Sequence, residues 1–135
     1  MSTIVIAGDT SGSVTLQAPA VAGGTVVTLP ATTGTAALTS DLLGVGQTWQ
    51  DVTGSRALST TYTNSTGKPI MIQIQASLNA GSIYTLTING VVINRFGAPN
   101  LNGQCPLSAI VPAGATYSAA VTSGAGSLSL WTELR

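Results

Sequence analysis

Histidine is missing from this chain altogether, and cysteine occurs once, at Cys105. The usual general base and the commonest transition-metal ligand are therefore unavailable. A single cysteine cannot close an intrachain disulfide or build a Cys/His zinc site. Charge is the next shortage. Four Lys+Arg and four Asp+Glu make up 6% of the 135 residues, where an ordinary soluble domain has about a quarter. A neutral chain with four basic residues cannot lay down the cationic stripe that neutralises a phosphate backbone, so nucleic acid is excluded as a partner. Lys, Glu and Arg are also the common residues of solvated helices, and their scarcity argues against a helix-rich fold. Long apolar runs are lacking too. The uncharged stretches 10–40 and 96–132 are broken by Gly, Pro, Asn, Gln and hydroxyls, so no membrane insertion is expected. The first basic residue is Arg56, which leaves no charged start for a secretory signal and implies assembly in the cytoplasm.

What the chain has in quantity is small and hydroxylated. Ser (14), Thr (20) and Gly (16) account for 50 residues. Mean hydropathy is nevertheless +0.41. A monomer of this size would have few charges to keep it apart from its neighbours. Burying surface against other subunits resolves that conflict, and zero net charge makes close association cheap. An obligate oligomer is expected.

The composition changes near residue 45. Residues 1–45 contain no aromatic side chain and only two charges, Asp9 and Asp41. They repeat a short β-type run ending in proline, Val14-Thr15-Leu16-Gln17-Ala18-Pro19 and Val27-Thr28-Leu29-Pro30. Two readings stand for this segment: a flexible tail, or an extended arm ordered by strand addition to neighbouring subunits. The arm reading makes Val14, Leu16, Val27, Leu29 and Leu38, with Trp49 at the junction, the interface and attachment residues. Residues 46–135 read as about eight short strands: 47–53, 59–63, 69–78, 83–89, 91–96, 106–111, 115–122 and 127–134. In 69–78, Ile70, Ile72, Ile74, Ala76 and Leu78 alternate with Met71, Gln73, Gln75 and Ser77. Asn89-Gly90 is a strong signal for a type I′ hairpin turn. Eight antiparallel strands suit a jelly-roll-like sandwich. The expected fold is all-β: an extended N-terminal arm, 1–45, and a small antiparallel β-sandwich, 46–135.

Two groups of residues resemble motifs of tailed-bacteriophage virion proteins. The arm carries Gly12-Ser13-Val14-Thr15-Leu16-Gln17-Ala18-Pro19, followed by 24–30 and 33–39. The second domain opens with VGQTWQDVTGSRALSTTYTNSTGKP and closes with Ile110-Val111-Pro112-Ala113-Gly114-Ala115-Thr116-Tyr117 and Trp131-Thr132-Glu133-Leu134-Arg135. Together these motifs cover about half the chain, and they are similar in tail-fibre, head-fibre and capsid-decoration proteins. The resemblance implies a homotrimer exposed on the virion, partnered by the major capsid protein or another virion protein, with no catalysis. Met1 opens almost directly onto the arm motif, without a fibre shaft. That favours a short accessory protein: a capsid decoration (cement) protein or a stubby head fibre. A receptor-binding tail-fibre tip is the alternative. A carbohydrate-binding module, which would take a host-surface glycan, is a further one.

No catalytic, metal or cofactor site is expected. Serines lack a histidine to activate them, and Asp9, Asp41, Asp51 and Glu133 share no local motif. Asp51 and Arg56 are close enough in sequence for a local or intersubunit ion pair, worth little if exposed. Asn64-Ser65-Thr66 matches a glycosylation sequon but reads as a turn. Strict alternation through 127–134 puts Leu128, Leu130 and Leu134 on one face and Trp131 and Glu133 on the other. An outward Trp131 would be a subunit contact, a sugar-stacking platform or a partly exposed ring. Trp131 and Tyr117 are therefore the candidate ligand or subunit contacts. Trp49 is the expected marker of the junction between arm and sandwich.

Overall fold

Five aliphatic side chains alternating along one nine-residue run set up the core. In β5 (Ile70–Leu78), Ile70, Ile72, Ile74, Ala76 and Leu78 are all buried, as the period-two pattern predicts. The computed structural model describes residues 3–7, 9–21, 23–24, 26, 31–33, 41–98 and 102–135. They belong to two compact units, Met1–Thr35 and Ala36–Arg135. Among the described residues every sheet is antiparallel, the only helical turns are 3-10, and there is no α-helix. No helix among them is long and apolar enough to cross a membrane.

The first unit contains a two-stranded hairpin, β1 (Thr3–Ala7) and β2 (Ser13–Gln17). The described residues of the second unit hold eight strands. These are β3 (Trp49–Asp51), β4 (Tyr62–Thr63), β5, β6 (Ser82–Ile88), β7 (Val91–Ala98), β8 (Gly103–Val111), β9 (Thr116–Ser123) and β10 (Gly126–Leu134). They form two four-stranded sheets, in the orders β3-β10-β5-β8 and β4-β9-β6-β7. The inward faces of both supply one core, which includes Ile72, Ile74 and Trp131 from the first sheet and Tyr84, Leu86 and Tyr117 from the second. The result is a β-sandwich.

Strand ends differ from the sequence expectation where the backbone turns. The first expected strand is only three residues long, because a 3-10 turn at Thr53–Ser55 ends it. Pro106 falls inside β8, which begins at Gly103, earlier than expected. A proline is tolerated there because β8 is an edge strand and need donate to one neighbour only.

A β-bulge changes the face assignment of β10. The register against β5 runs Leu128 to Ala76 and then Leu130 to Gln75, so one residue is inserted. An inserted residue reverses every later side chain. Trp131 and Glu133 therefore point into the core, each 0% exposed, and Leu130 and Leu134 face outward, partly exposed. The outward placement of Trp131 expected from alternation is corrected by this bulge.

The Asn89-Gly90 turn joins β6 to β7 with φ of 48° and 79°. Asn89 also ties the turn to β9: its N–H donates to the Thr116 carbonyl at 2.9 Å, and its Oδ1 accepts from the Thr116 N–H at 2.9 Å. A Cβ on Gly90 would meet no atom within 4 Å, so a side chain there costs backbone strain alone. Gly90→Val is expected to destabilise the fold by about 1–3 kcal/mol. Chemical denaturation of the full chain measures this, and an unchanged midpoint would rule it out.

Candidate functional site

Polar side chains converge where the start of the sandwich meets its last strand. Gln47 donates from Nε2 to the Pro69 carbonyl at 2.9 Å and approaches the Leu134 carbonyl at 3.4 Å. Thr48 and Arg135 exchange two backbone hydrogen bonds at 3.1 Å. Asp51 accepts from the Thr53 amide at 2.9 Å and the Thr53 hydroxyl at 2.6 Å. Those bonds, the hydroxyl first, hold the Asp51 carboxyl below its ordinary pKa. The same hydroxyl accepts from the Trp131 N–H at 2.8 Å, and the Val52 N–H donates to the Trp131 carbonyl at 2.9 Å. The 3-10 turn is thus fastened to β10.

This turn aims Arg56 at Glu133. Arg56 donates from Nε to Oε1 at 3.0 Å and from Nη2 to Oε2 at 3.1 Å. The Tyr117 hydroxyl donates to Oε1 at 2.8 Å, and Arg135 Nη1 lies 3.2 Å from Oε2. Asp51 does not pair with Arg56. The local ion pair expected from their closeness in sequence is replaced by a pair spanning 77 residues, because Thr53 takes the Asp51 carboxylate. Burial opposes the Arg56 charge, and the bonds and charge of Glu133 more than offset it, so its pKa rises. The Arg56 guanidinium also lies 4.5 Å from the centre of the Tyr62 ring, a cation–π contact. Tyr62, Tyr117 and Trp131 pack together with ring centroids 5.6–6.2 Å apart.

The arrangement is a filled ion cluster. Glu133 has donors on both oxygens and no exposure to a substrate. Tyr117 is 2% exposed and belongs to the same cluster. Neither Trp131 nor Tyr117 presents a surface to a ligand or a subunit. No group of three or more His, Cys, Asp or Glu side chains able to hold a metal occurs among the described residues. Cys105 is a buried free thiol whose pKa is pushed up by burial. Asn64 is buried, and its amide is spent on structure. Nδ2 lies 2.7 Å from the Lys68 carbonyl and 3.1 Å from that of Val111, and Oδ1 accepts from the Thr66 hydroxyl at 2.7 Å.

The remaining candidates are surface residues. Trp49 is half exposed on β3. In the hairpin, Ile4 faces Leu16 and Ile6 faces Val14 across the strands. These four side chains share one face and are 55–65% exposed. Val14 and Leu16 were expected from the sequence. Their partners Ile4 and Ile6 were missed, although Thr3-Ile4-Val5-Ile6 is a β-branched run of the kind that forms strands. Val27, Leu29 and Leu38 lie outside the described residues, as does the second proline-stopped run. No protein-family model matches the sequence, and no curated protein matches it either.

Two outcomes are expected for the cluster. Arg56→Ala removes the main partner of a buried carboxylate and should cost about 3–5 kcal/mol. Calorimetry would show it, and a loss below about 1 kcal/mol would contradict the buried pairing. Burial, reinforced by Glu133, pushes the Tyr117 hydroxyl up to about 12 from an ordinary value of 10.0. A raised folded-state value means that this stability is complete below pH 10 and is lost as the pH climbs towards 12. Tyr117→Phe should flatten that alkaline loss and cost about 1.5–3 kcal/mol at neutral pH. Identical pH–stability curves for both proteins would exclude it.

Proposed function

We propose that the protein is a non-enzymatic structural component of a tailed-bacteriophage virion. In this reading it is a homotrimer that decorates the capsid, or forms a short head fibre, through its N-terminal segment. The observation that carries the reading is the uncovered apolar face of the first hairpin. An isolated two-stranded hairpin is marginal in water. One that leaves Ile4, Ile6, Val14 and Leu16 exposed gains its stability from a surface laid over it. A capsid lattice or a neighbouring subunit offers such a surface, and strand addition supplies backbone hydrogen bonds to it. Ordering each residue costs about 1–2 kcal/mol of backbone entropy, so many contacts must form together. Three hairpins on one trimer would then bind with avidity.

Two further features support the reading. The segments that resemble phage motifs, 46–69 and 131–135, are hydrogen-bonded to one another through Gln47, Thr48 and Arg56. The strand orders β3-β10-β5-β8 and β4-β9-β6-β7 are those we assign to a jelly roll, a fold common in capsid proteins. The interior cluster supports a purely structural role, since its charges are consumed by each other.

Co-sedimentation with stripped capsids of the encoding phage tests the proposal. The full chain should pellet with capsids. The double variant Ile6→Asp, Leu16→Asp and a chain starting at Gly46 should both stay in the supernatant. Equal pelleting of all three would assign attachment to the sandwich. Binding to host cells in place of capsids would favour a tail-fibre tip.

A further inference from the structure

Two exposed apolar patches occupy the same end of the sandwich. The first crosses the outer face of the sheet β3-β10-β5-β8. Trp49, Leu134, Met71 and Ile110 stand opposite one another, one on each strand. Trp49 is 50% and Ile110 57% exposed. The adjacent row is Asp51, Thr132, Gln73 and Ser108. Along β10, β5 and β8 this outer face carries no charged side chain. A solvated sheet face is ordinarily polar. The apolar row lies at one end of this face, and the face as a whole is depleted of charge, as interface surfaces are.

The second patch is the start of β7, where Val91, Val92 and Ile93 are exposed; Val92 and Arg95 stand opposite Thr87 and Thr85, and Val91 and Phe96 emerge on the other face, opposite Ile88 and Tyr84. β7 is an edge strand, and an exposed apolar edge invites pairing unless something covers it. Arg95 stands in this strand and makes no ion pair among the described residues. β7 and β8 are the outermost strands on one side of their two sheets and approach each other. The β6–β7 turn is tied by Asn89 to Thr116, close to where β8 ends at Val111. The patches therefore flank one open side of the sandwich while belonging to different sheets.

We propose that copies of this chain associate head to tail: the Trp49–Leu134–Met71–Ile110 row of one copy covers the β7 patch of the next. Asp51 borders the row and Arg95 lies in the strip, so the rims carry opposite charges. Two unlike surfaces make the contact heterologous, and a heterologous contact that closes gives a ring. The inference rests on the trimeric reading above and names the surfaces that would carry it. β10, β5 and β8 lie about 4.8 Å apart and are about 30 Å long, and the three-residue β3 adds about 10 Å of a fourth strand, which gives roughly 450–500 Å² in projection. Each partner in a standard interface buries about 800 Å² of accessible surface, so a single contact of this kind is small and a closed ring, in which every copy engages two of them, is what makes it stable.

The test compares the full-length protein with Ile110→Lys and Val92→Lys by sedimentation equilibrium at micromolar concentration. Both positions are exposed, and matching melting curves would verify folding. The unaltered chain should show three times 13.4 kDa. Each variant should lose that mass and run as a single chain. An equimolar mixture of the two should regain a two-chain species, because each supplies the surface that the other lacks. An unaltered chain that is itself monomeric would sink the trimeric reading and this inference together. A trimer retained in either variant would leave the trimeric reading standing and overturn the surfaces assigned here. Two monomeric variants that fail to recombine would overturn the head-to-tail pairing.

Discussion

A carboxylate with no access to water is tenable only when its charge is met, and the sandwich is organised around meeting that of Glu133. Arg56 arrives from the 3-10 turn, Tyr117 from β9 and Arg135 from the end of the chain. Each donor comes from a different part of the fold, so the cluster forms only once the two sheets have closed. The desolvation cost makes it an all-or-none feature: every partner supports it, and loss of the main one leaves a buried charge exposed to a low dielectric. Residues 47–56 are thereby fastened to the last strand. Gln47, Thr48, Asp51 and Thr53 place the turn, and the turn places Arg56.

The rings and the ion cluster share the same space. Tyr62, Tyr117 and Trp131 pack together, with the Arg56 guanidinium over Tyr62. The rest of the core is mainly aliphatic, drawn from Ile, Leu, Val and Ala. Three of the six aromatic residues are thus concentrated at one junction. That leaves Trp49 and Phe96 as rings with substantial exposure, and both lie on strands at sheet edges.

Scarcity of charge has a different consequence outside. Three of the eight charged side chains, Glu133, Arg56 and Arg135, are paired with one another. Little remains to solvate the exterior. The hairpin face, the outer row of one sheet and the edge strand of the other all present apolar side chains to solvent. These surfaces pose one physical problem, and the association proposed above would answer all of it at once.

Features that depend on local chemistry were readable from the sequence. The eight strands of the second unit follow from alternation and turn residues, and the Asn89-Gly90 hairpin follows from its demand for positive φ. The buried face of 70–78 follows from a period of two that nothing interrupts. Features that depend on long-range pairing were not readable. A bulge near Ser129 reversed β10 and moved Trp131 and Glu133 from the expected outer face into the core, because one inserted residue exchanges the two sides of a strand. Asp51 sits five residues from Arg56, yet Thr53 captured it, and Arg56 found its partner 77 residues away. Composition by itself determined that the protein would be β-rich and sparsely charged. Which of its few charges were buried together, and which apolar residues were left outside, was decided only when the strands took their register, since register sets the face on which every side chain emerges.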